Sequence, residues 1–227
     1  MAFPGVSVRA AADEALARAH IVVWAVKPQQ FAQAVAPCRP HVAGALQLSI
    51  MAGVTCASVA AATGAAAIVR AMPNTPALIG QGIAGLFATT AVTAAQRDAV
   101  EGVLAPTGSL CWVAQEADLD AVTALSGSGP AYVFYFLEAM VEAGLQMGLP
   151  LPQARRFAQE TFAGAAQLAM RSDEPLATLR ERVTSKGGTT YAAITSLDGA
   201  GVKAAFVHAL HAARSRAAAL GAAAPAP

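Results

Sequence analysis

The chain has 227 residues, enough for one large or two small domains, and 56% of them are hydrophobic, much of that alanine. Fifteen Lys+Arg against 14 Asp+Glu leave a net charge of +1, which excludes the basic footprint that nucleic acid or an anionic membrane surface would call for. Small molecules and further copies of the chain are the partners that remain.

Residues 21–26 form a continuous apolar run, Ile21-Val22-Val23-Trp24-Ala25-Val26, expected as a strand buried on both faces. Lys27 ends it, and Pro28 suits the first turn of a following helix. Residues 46–50 read as a second strand stopped by Gly53, after which Thr55 can cap a helix. Residues 67–70 and 83–89 give a third and fourth strand. Thr93 then opens a helix over 94–104, and 110–113 is a last short strand. Strand and helix alternating at this spacing predict a mainly parallel, doubly wound sheet. Within it, residues 40–69 carry no Lys, Arg, Asp or Glu, a span long enough to raise a membrane helix. Gln47, Gly53, Thr55, Ser58 and Gly64 interrupt it, so no membrane segment is expected. The N-terminus has no basic region leading into an apolar one, and no secretory signal is expected.

After Asp118 the pattern is helical only, over 130–147, 152–171, 176–183, 190–197 and 201–220. The chain therefore divides into an α/β domain over 1–117, an all-α domain over 118–221 and a disordered tail over 222–227. The helix from Pro130 carries Tyr132, Val133, Phe134, Tyr135, Phe136, Leu137, Met140 and Val141, apolar on most of its circumference. Such a helix must be buried on nearly all sides, and a lone helical domain of about a hundred residues struggles to enclose it. A second copy of the chain is expected to help.

Cys38, Cys56 and Cys111 form no close pair and no metal spacing, which fits buried, reduced thiols in the cytoplasm. His208 and His211 share a helix face but have no third ligand nearby. They read as surface or interface residues rather than a zinc site.

Three clusters put glycines, prolines and hydroxyls together. Arg70-Ala71-Met72-Pro73-Asn74-Thr75-Pro76 follows a strand, at the end of a parallel sheet where ligands bind. Asn74 offers an amide to a carboxamide or a ribose, or else simply shapes a rigid turn. Ser126-Gly127-Ser128-Gly129-Pro130 precedes a helix, with Ser128 or Gly129 at its cap. Its glycines allow a flat ligand close to the backbone, or it is only a well-capped helix start. Thr184-Ser185-Lys186-Gly187-Gly188-Thr189-Thr190 opens another helix, where hydroxyls and free N–H groups suit an anion better than a plain interhelical loop would require. A literal G-x-G-x-x-G at Gly80-Gln81-Gly82-Ile83-Ala84-Gly85 is rejected, because it leads into a strand instead of a helix.

Taken together, these words and their order resemble the pyrroline-5-carboxylate reductase family. Ala25-Val26-Lys27-Pro28-Gln29, Ser49-Ile50-Met51-Ala52-Gly53-Val54, residues 70–76, residues 124–134 and residues 183–190 all match in sequence, from about Gly5 to Leu220. The resemblance implies a Rossmann-like domain followed by a helical dimerisation domain, and reduction of 1-pyrroline-5-carboxylate to L-proline with NADPH or NADH. It implies that Ser185, Gly187, Gly188, Thr189 and Thr190 hold the substrate carboxylate. Ala25, Val26, Lys27, Pro28, Ala52, Gly53 and Asn74 would line the nicotinamide-ribose side of the cofactor. Thr123 and Lys27 would be the catalytic candidates, Thr123 beside the reacting imine. No metal is implied, and a homodimer or larger homo-oligomer is.

The family pattern also begins with a strand and a glycine-rich turn that cradle the pyrophosphate. Measured against it, the first βαβ unit is expected to be missing, and little turnover is expected without it. Lys186 stands where the family commonly has proline, and Tyr191 where a polar residue is common. Two rival readings stay open: a related NADP-dependent reductase of another imine or β-hydroxy acid, and a truncated paralogue serving only as a helical dimerisation partner.

Overall fold

Five short apolar runs pair into one sheet in chain order: β1 (Ile21–Trp24), β2 (Leu46–Ser49), β3 (Ile68–Met72), β4 (Gly82–Ala88) and β5 (Gly108–Trp112). The computed structural model describes residues 5–222. The tail expected over 222–227 therefore lies outside the described residues, except for Ala222, which ends the last helix. β1, β2 and β3 are parallel, β4 is antiparallel to β3, and β5 is parallel to β4. Chain length explains the single antiparallel step. Residues 73–81 hold only a 3-10 turn (Thr75–Ile79), short of the dozen or so residues a parallel crossover needs. The same segment delivers Gly82 into β4, a strand, as the rejection of the glycine motif required.

Pro28 opens a 3-10 turn (Pro28–Gln30) that runs on into α1 (Phe31–Val35), followed by α2 (Arg39–Val42) and α3 (Cys56–Thr63). Thr55 caps α3, its Oγ1 accepting the Ser58 N–H. α4 (Ala94–Leu104) starts in a reciprocal cap between Thr93 and Gln96. Helices α1–α3 cover one face of the sheet, where Trp24, Phe31, Val42, Met51, Val59 and Ile68 cluster. α4 covers the other, over Leu48, Val69, Leu86 and Val100. This is the doubly wound layering expected from the alternation of elements. Fully buried Gln47 is tolerated because its Oε1 accepts from Trp24 Nε1 and its Nε2 donates to the Val42 and Ala45 carbonyls.

Two expectations need correction here. β1 stops at Trp24 and is not buried on both faces: Val23 is 45% exposed. It is an edge strand with only β2 beside it among the described residues: Val22 and Trp24 pack on one face, while on the other Ile21 is half-covered and Val23 is left bare. The cysteines are not uniformly buried either. Cys56 is buried and Cys38 half-buried, whereas Cys111 is exposed because side chains alternate along the edge strand β5.

The strand pattern gives way to helices at Asp118: α5 (Asp118–Val122), α6 (Gly129–Gln146), α7 (Leu151–Met170), α8 (Leu176–Arg182), α9 (Thr189–Gly199) and α10 (Val202–Ala222). By compactness the chain divides elsewhere. One unit comprises the chain through Ser128 plus the last turns of α10 from Ala212, and the other runs Gly129–His211. α5 belongs with the sheet because it packs on it. A Cβ on Gly85 of β4 would lie 2.7 Å from Val122 Cγ1, so the glycine makes room for the helix.

In the second unit, α6 and α7 meet through small residues, a Cβ on Gly144 falling 2.8 Å from the Ala154 Cβ. Phe206 of α10 sits edge-on to Tyr132 and Phe136, at 5.6 and 5.5 Å between centroids. Phe134 and Tyr135 are 58% and 69% exposed, so one chain does not supply the burial expected of α6. His208 and His211 are exposed, beside Asp198 and Lys203. No helix among the described residues is long and apolar enough to cross a membrane.

Candidate active site

Because β1, β2 and β3 are parallel, the loops that follow them emerge at one edge of the sheet. Those loops carry Ala25, Val26, Lys27 and Pro28 after β1, Ala52 and Gly53 after β2, and Asn74 after β3. All seven residues expected to line the cofactor therefore share that edge. Ala25, Lys27 and Ala52 are exposed, Val26, Pro28, Gly53 and Asn74 half-buried. Gly53 has φ +76°, a left-handed conformation that disfavours any side chain with a Cβ. Its backbone lies against the end of α10, where a Cβ would be 3.4 Å from the Gly221 nitrogen.

Thr123 reaches the same edge by a different route. Gly85 alternates with Ala84 and Leu86, which face α4, so α5 packs on the face that holds α3. From there α5 runs into a π-helical turn, Thr123–Gly127, closed by the Ser128 N–H on the Thr123 carbonyl at 2.8 Å. Such single π turns gather at functional sites. Ser128 has helical φ/ψ of −85° and −13°, so the expected capped start at Ser126–Pro130 is instead a wide turn inside a continuing helical path. Nor is the space over Gly127 open to a ligand: a Cβ there would fall 2.5 Å from Met72 Cε. Gly129 is different, since a Cβ on it meets nothing within 4 Å.

Asn74 staples this turn to the sheet. Its Nδ2 donates to the Ser126 carbonyl at 3.2 Å, and its Oδ1 accepts the Ile83 N–H at 3.0 Å. One amide hydrogen and one lone pair are left for anything else. The Thr123 hydroxyl is committed too, donating to the Leu119 carbonyl at 2.7 Å, and so can serve anything else only as an acceptor.

Sequence reasoning missed an ion pair beside these loops. Arg70, in the middle of β3 and 8% exposed, places its guanidinium 2.7 Å from Glu116 Oε1. The same oxygen accepts the Cys56 N–H at 2.7 Å. Burial first, and then Glu116, pushes the Cys56 thiol up to about 12, against the opposing pull of Arg70. A charged residue in an apolar strand was the available signal that some acidic partner had to exist.

In the second unit, Ser185, Gly187, Gly188, Thr189 and Thr190 lie together at the start of α9. Gly187 turns the chain at φ +77°, and the Gly188 N–H closes on the Ser185 carbonyl at 3.0 Å. Gly188 is the N-cap, and no side chain caps the helix. Intrahelical bonding starts only with Ala192 N–H to the Gly188 carbonyl. The N–H groups of Thr189, Thr190 and Tyr191 thus have no partner within the helix. A Cβ on Gly188 would be 2.9 Å from Ser185 Oγ, so the glycine lets that hydroxyl fold over the helix end. Thr190 is half-buried, and Ser185, Gly187 and Thr189 are exposed. Among the described residues no cluster of His, Cys, Asp and Glu could hold a metal ion.

Residues 116–220 match the family model described as pyrroline-5-carboxylate reductase dimerisation. The chain is 47% identical over 212 residues to a pyrroline-5-carboxylate reductase of Pseudomonas aeruginosa, covering 91% of this chain and 77% of that one. Among solved structures it superposes on a Coxiella burnetii pyrroline-5-carboxylate reductase with a TM-score of 0.83 at 38% identity, covering 88% of this chain and 76% of that one. A Plasmodium falciparum pyrroline carboxylate reductase with NADP bound gives a TM-score of 0.84 at 31% identity, with coverage of 92% and 80%. Identity at this level, over this much of both partners in each comparison, places the chain in the pyrroline-5-carboxylate reductase family.

Proposed function

We propose that this chain reduces the C=N bond of 1-pyrroline-5-carboxylate to give L-proline, using NADPH or NADH. The observation that carries the reading is the start of α9, with three N–H groups unpaired within the helix beside the hydroxyls of Ser185, Thr189 and Thr190. That donor set suits a small carboxylate, the anionic group of the substrate.

The sheet edge fits the nicotinamide end of a dinucleotide. Ala25 and Ala52 present small exposed side chains, half-buried Gly53 adds no side chain, and the amide of Asn74 has one donor and one acceptor left. When bound, the reduced nicotinamide supplies a hydride to the imine carbon while the nitrogen takes up the electron pair of the C=N bond. Everything else in the reaction falls to the chain. The α9 donors orient the ring by its carboxylate, and fixed orientation supplies much of the acceleration. Thr123, its hydrogen already given to Leu119, is suited to accept an N–H from a protonated imine. Lys27, exposed at the end of β1, adds positive charge beside the cofactor's ribose. The chain works as a homodimer or larger homo-oligomer, in which the bared apolar side chains of α6 are covered.

The test follows NADPH and NADH oxidation at 340 nm with 1-pyrroline-5-carboxylate, on the chain alone and with an N-terminal strand–helix–strand extension. Oxidation that depends on this substrate, and is not reproduced by other cyclic imines or β-hydroxy acids, is the expected result. Oxidation indifferent to it in both forms rules the reading out.

A further inference from the structure

The loops at the sheet edge come from distant parts of the chain, and two long-range side-chain contacts tie them together. Asn74 joins the loop after β3 to the Thr123–Gly127 turn. The other contact runs through Glu116, 60 residues from Cys56 and 46 from Arg70. Cys56 is the first residue of α3, and its N–H is one that a helix leaves without an internal partner. Thr55 does not satisfy it, because the Thr55 hydroxyl oxygen accepts from Ser58. Glu116 does, with a negative charge at the positive end of the helix.

We propose that Glu116 is a positioning residue for the nicotinamide side of the site, a single carboxylate oxygen locking Ala52 and Gly53, through Cys56, to Arg70 of β3. The proposal rests on the reading of Ala52 and Gly53 as cofactor-lining residues.

Three features make this more than a surface ion pair. Arg70 and Glu116 side chains are only 10% and 29% exposed, so solvent screening is weak. Gly53 is clamped from its other side by the end of α10, where its would-be Cβ lies 3.4 Å from Gly221 nitrogen; the loop is thus held at two points. Glu116 and Arg70 also border an open cavity of about 390 Å³ with Gly53, Thr55 and Asp120. With the carboxylate removed, the loop would keep its covalent path but lose its fixed height above β3.

The experiment measures NADPH dissociation constants by fluorescence titration of the whole chain, together with site-resolved alkylation of Cys56. Glu116→Ala should weaken NADPH about tenfold or more, and Glu116→Gln, which keeps an acceptor of the same shape, should stay within about threefold of wild type. Glu116→Asp, too short to serve both donors, should fall with the alanine variant, and it stands in for that variant if alanine does not fold. Cys56 should alkylate faster in Glu116→Gln, by about threefold per unit that its thiol pKa drops, the gain in thiolate being partly offset by its lower nucleophilicity, because the neighbouring negative charge has gone. A merely structural Glu116 would lower stability in Glu116→Ala while leaving the NADPH constant unchanged, and that result overturns the proposal. So does an equal loss in Glu116→Gln and Glu116→Asp. Ala52→Phe separates the two readings. If it leaves NADPH binding intact, or if neither the chain nor the form carrying the N-terminal strand–helix–strand extension binds any, the cofactor-lining reading fails and the proposal goes with it. If Ala52→Phe weakens binding and Glu116→Ala does not, only the positioning role fails.

Discussion

Asn74→Asp is the sharpest test of what the edge loops require. The wild-type amide donates to the Ser126 carbonyl at 3.2 Å and accepts from the Ile83 N–H at 3.0 Å. Aspartate keeps the second contact and turns the first into two oxygens facing each other. Each ordinary hydrogen bond contributes about 0.5–1.5 kcal/mol net, and a polar group left facing no partner costs about 1–3 kcal/mol. Asn74→Ala, which removes both contacts, should therefore lose about 1–3 kcal/mol, and Asn74→Asp at neutral pH at least as much. A protonated aspartate can donate to Ser126 again, so its pKa in the folded chain is raised above the unfolded value of about 3.9. A raised pKa means the contact is present below the unfolded pKa and is lost as pH rises through the folded one. The assay is urea unfolding of wild type and both variants, at neutral pH and near pH 4. Asparagine should be most stable at neutral pH, with the aspartate deficit shrinking on acidification. An aspartate variant as stable as wild type at neutral pH would show that the 3.2 Å contact does not hold the π turn.

Two further outcomes follow from the same chemistry. Thr190→Ala should raise the KM for 1-pyrroline-5-carboxylate about tenfold or more, the usual worth of a hydroxyl bonded to a charged group, and leave the NADPH KM nearly unchanged; an unaltered substrate KM removes Thr190 from the anion site. The Cys56 thiol, raised in the fold from 9.0 to about 12, stabilises the chain fully below pH 9 and progressively less up to about pH 12, since the unfolded thiol ionises first. Alkaline urea titrations should show that loss in wild type and less of it in Cys56→Ala, and identical slopes would refute the assignment.

Much of the edge was legible because its residues announce themselves locally. Lys27-Pro28 after an apolar run, Gly53 after Leu46–Ser49 and the prolines around Asn74 each mark where a strand must stop. Parallel pairing then puts three such stops side by side. The Ser126–Pro130 segment misled for an instructive reason. Serine, glycine and proline are the residues of a helix start, and only tertiary packing could override them. Asn74 takes the Ser126 carbonyl, Met72 fills the space over Gly127, and Val122 seats α5 against Gly85. With both flanks held, the chain stays helical and absorbs the misfit as one wide turn.

The amino-acid sequence by itself determined the family, the order of strands and helices, and the donor-rich entry to α9, because each depends on residue types within a few positions of one another. Only the tertiary structure decided that β1 leaves Val23 bare and that the amide of Asn74 is largely spent on the protein's own backbone. It alone chose Glu116, among 14 acidic residues, as the partner of Arg70 and Cys56. A charge inside a strand demands a counter-charge. Which residue answers, 46 positions away, is set by how α5 crosses the sheet, and no local pattern encodes that crossing.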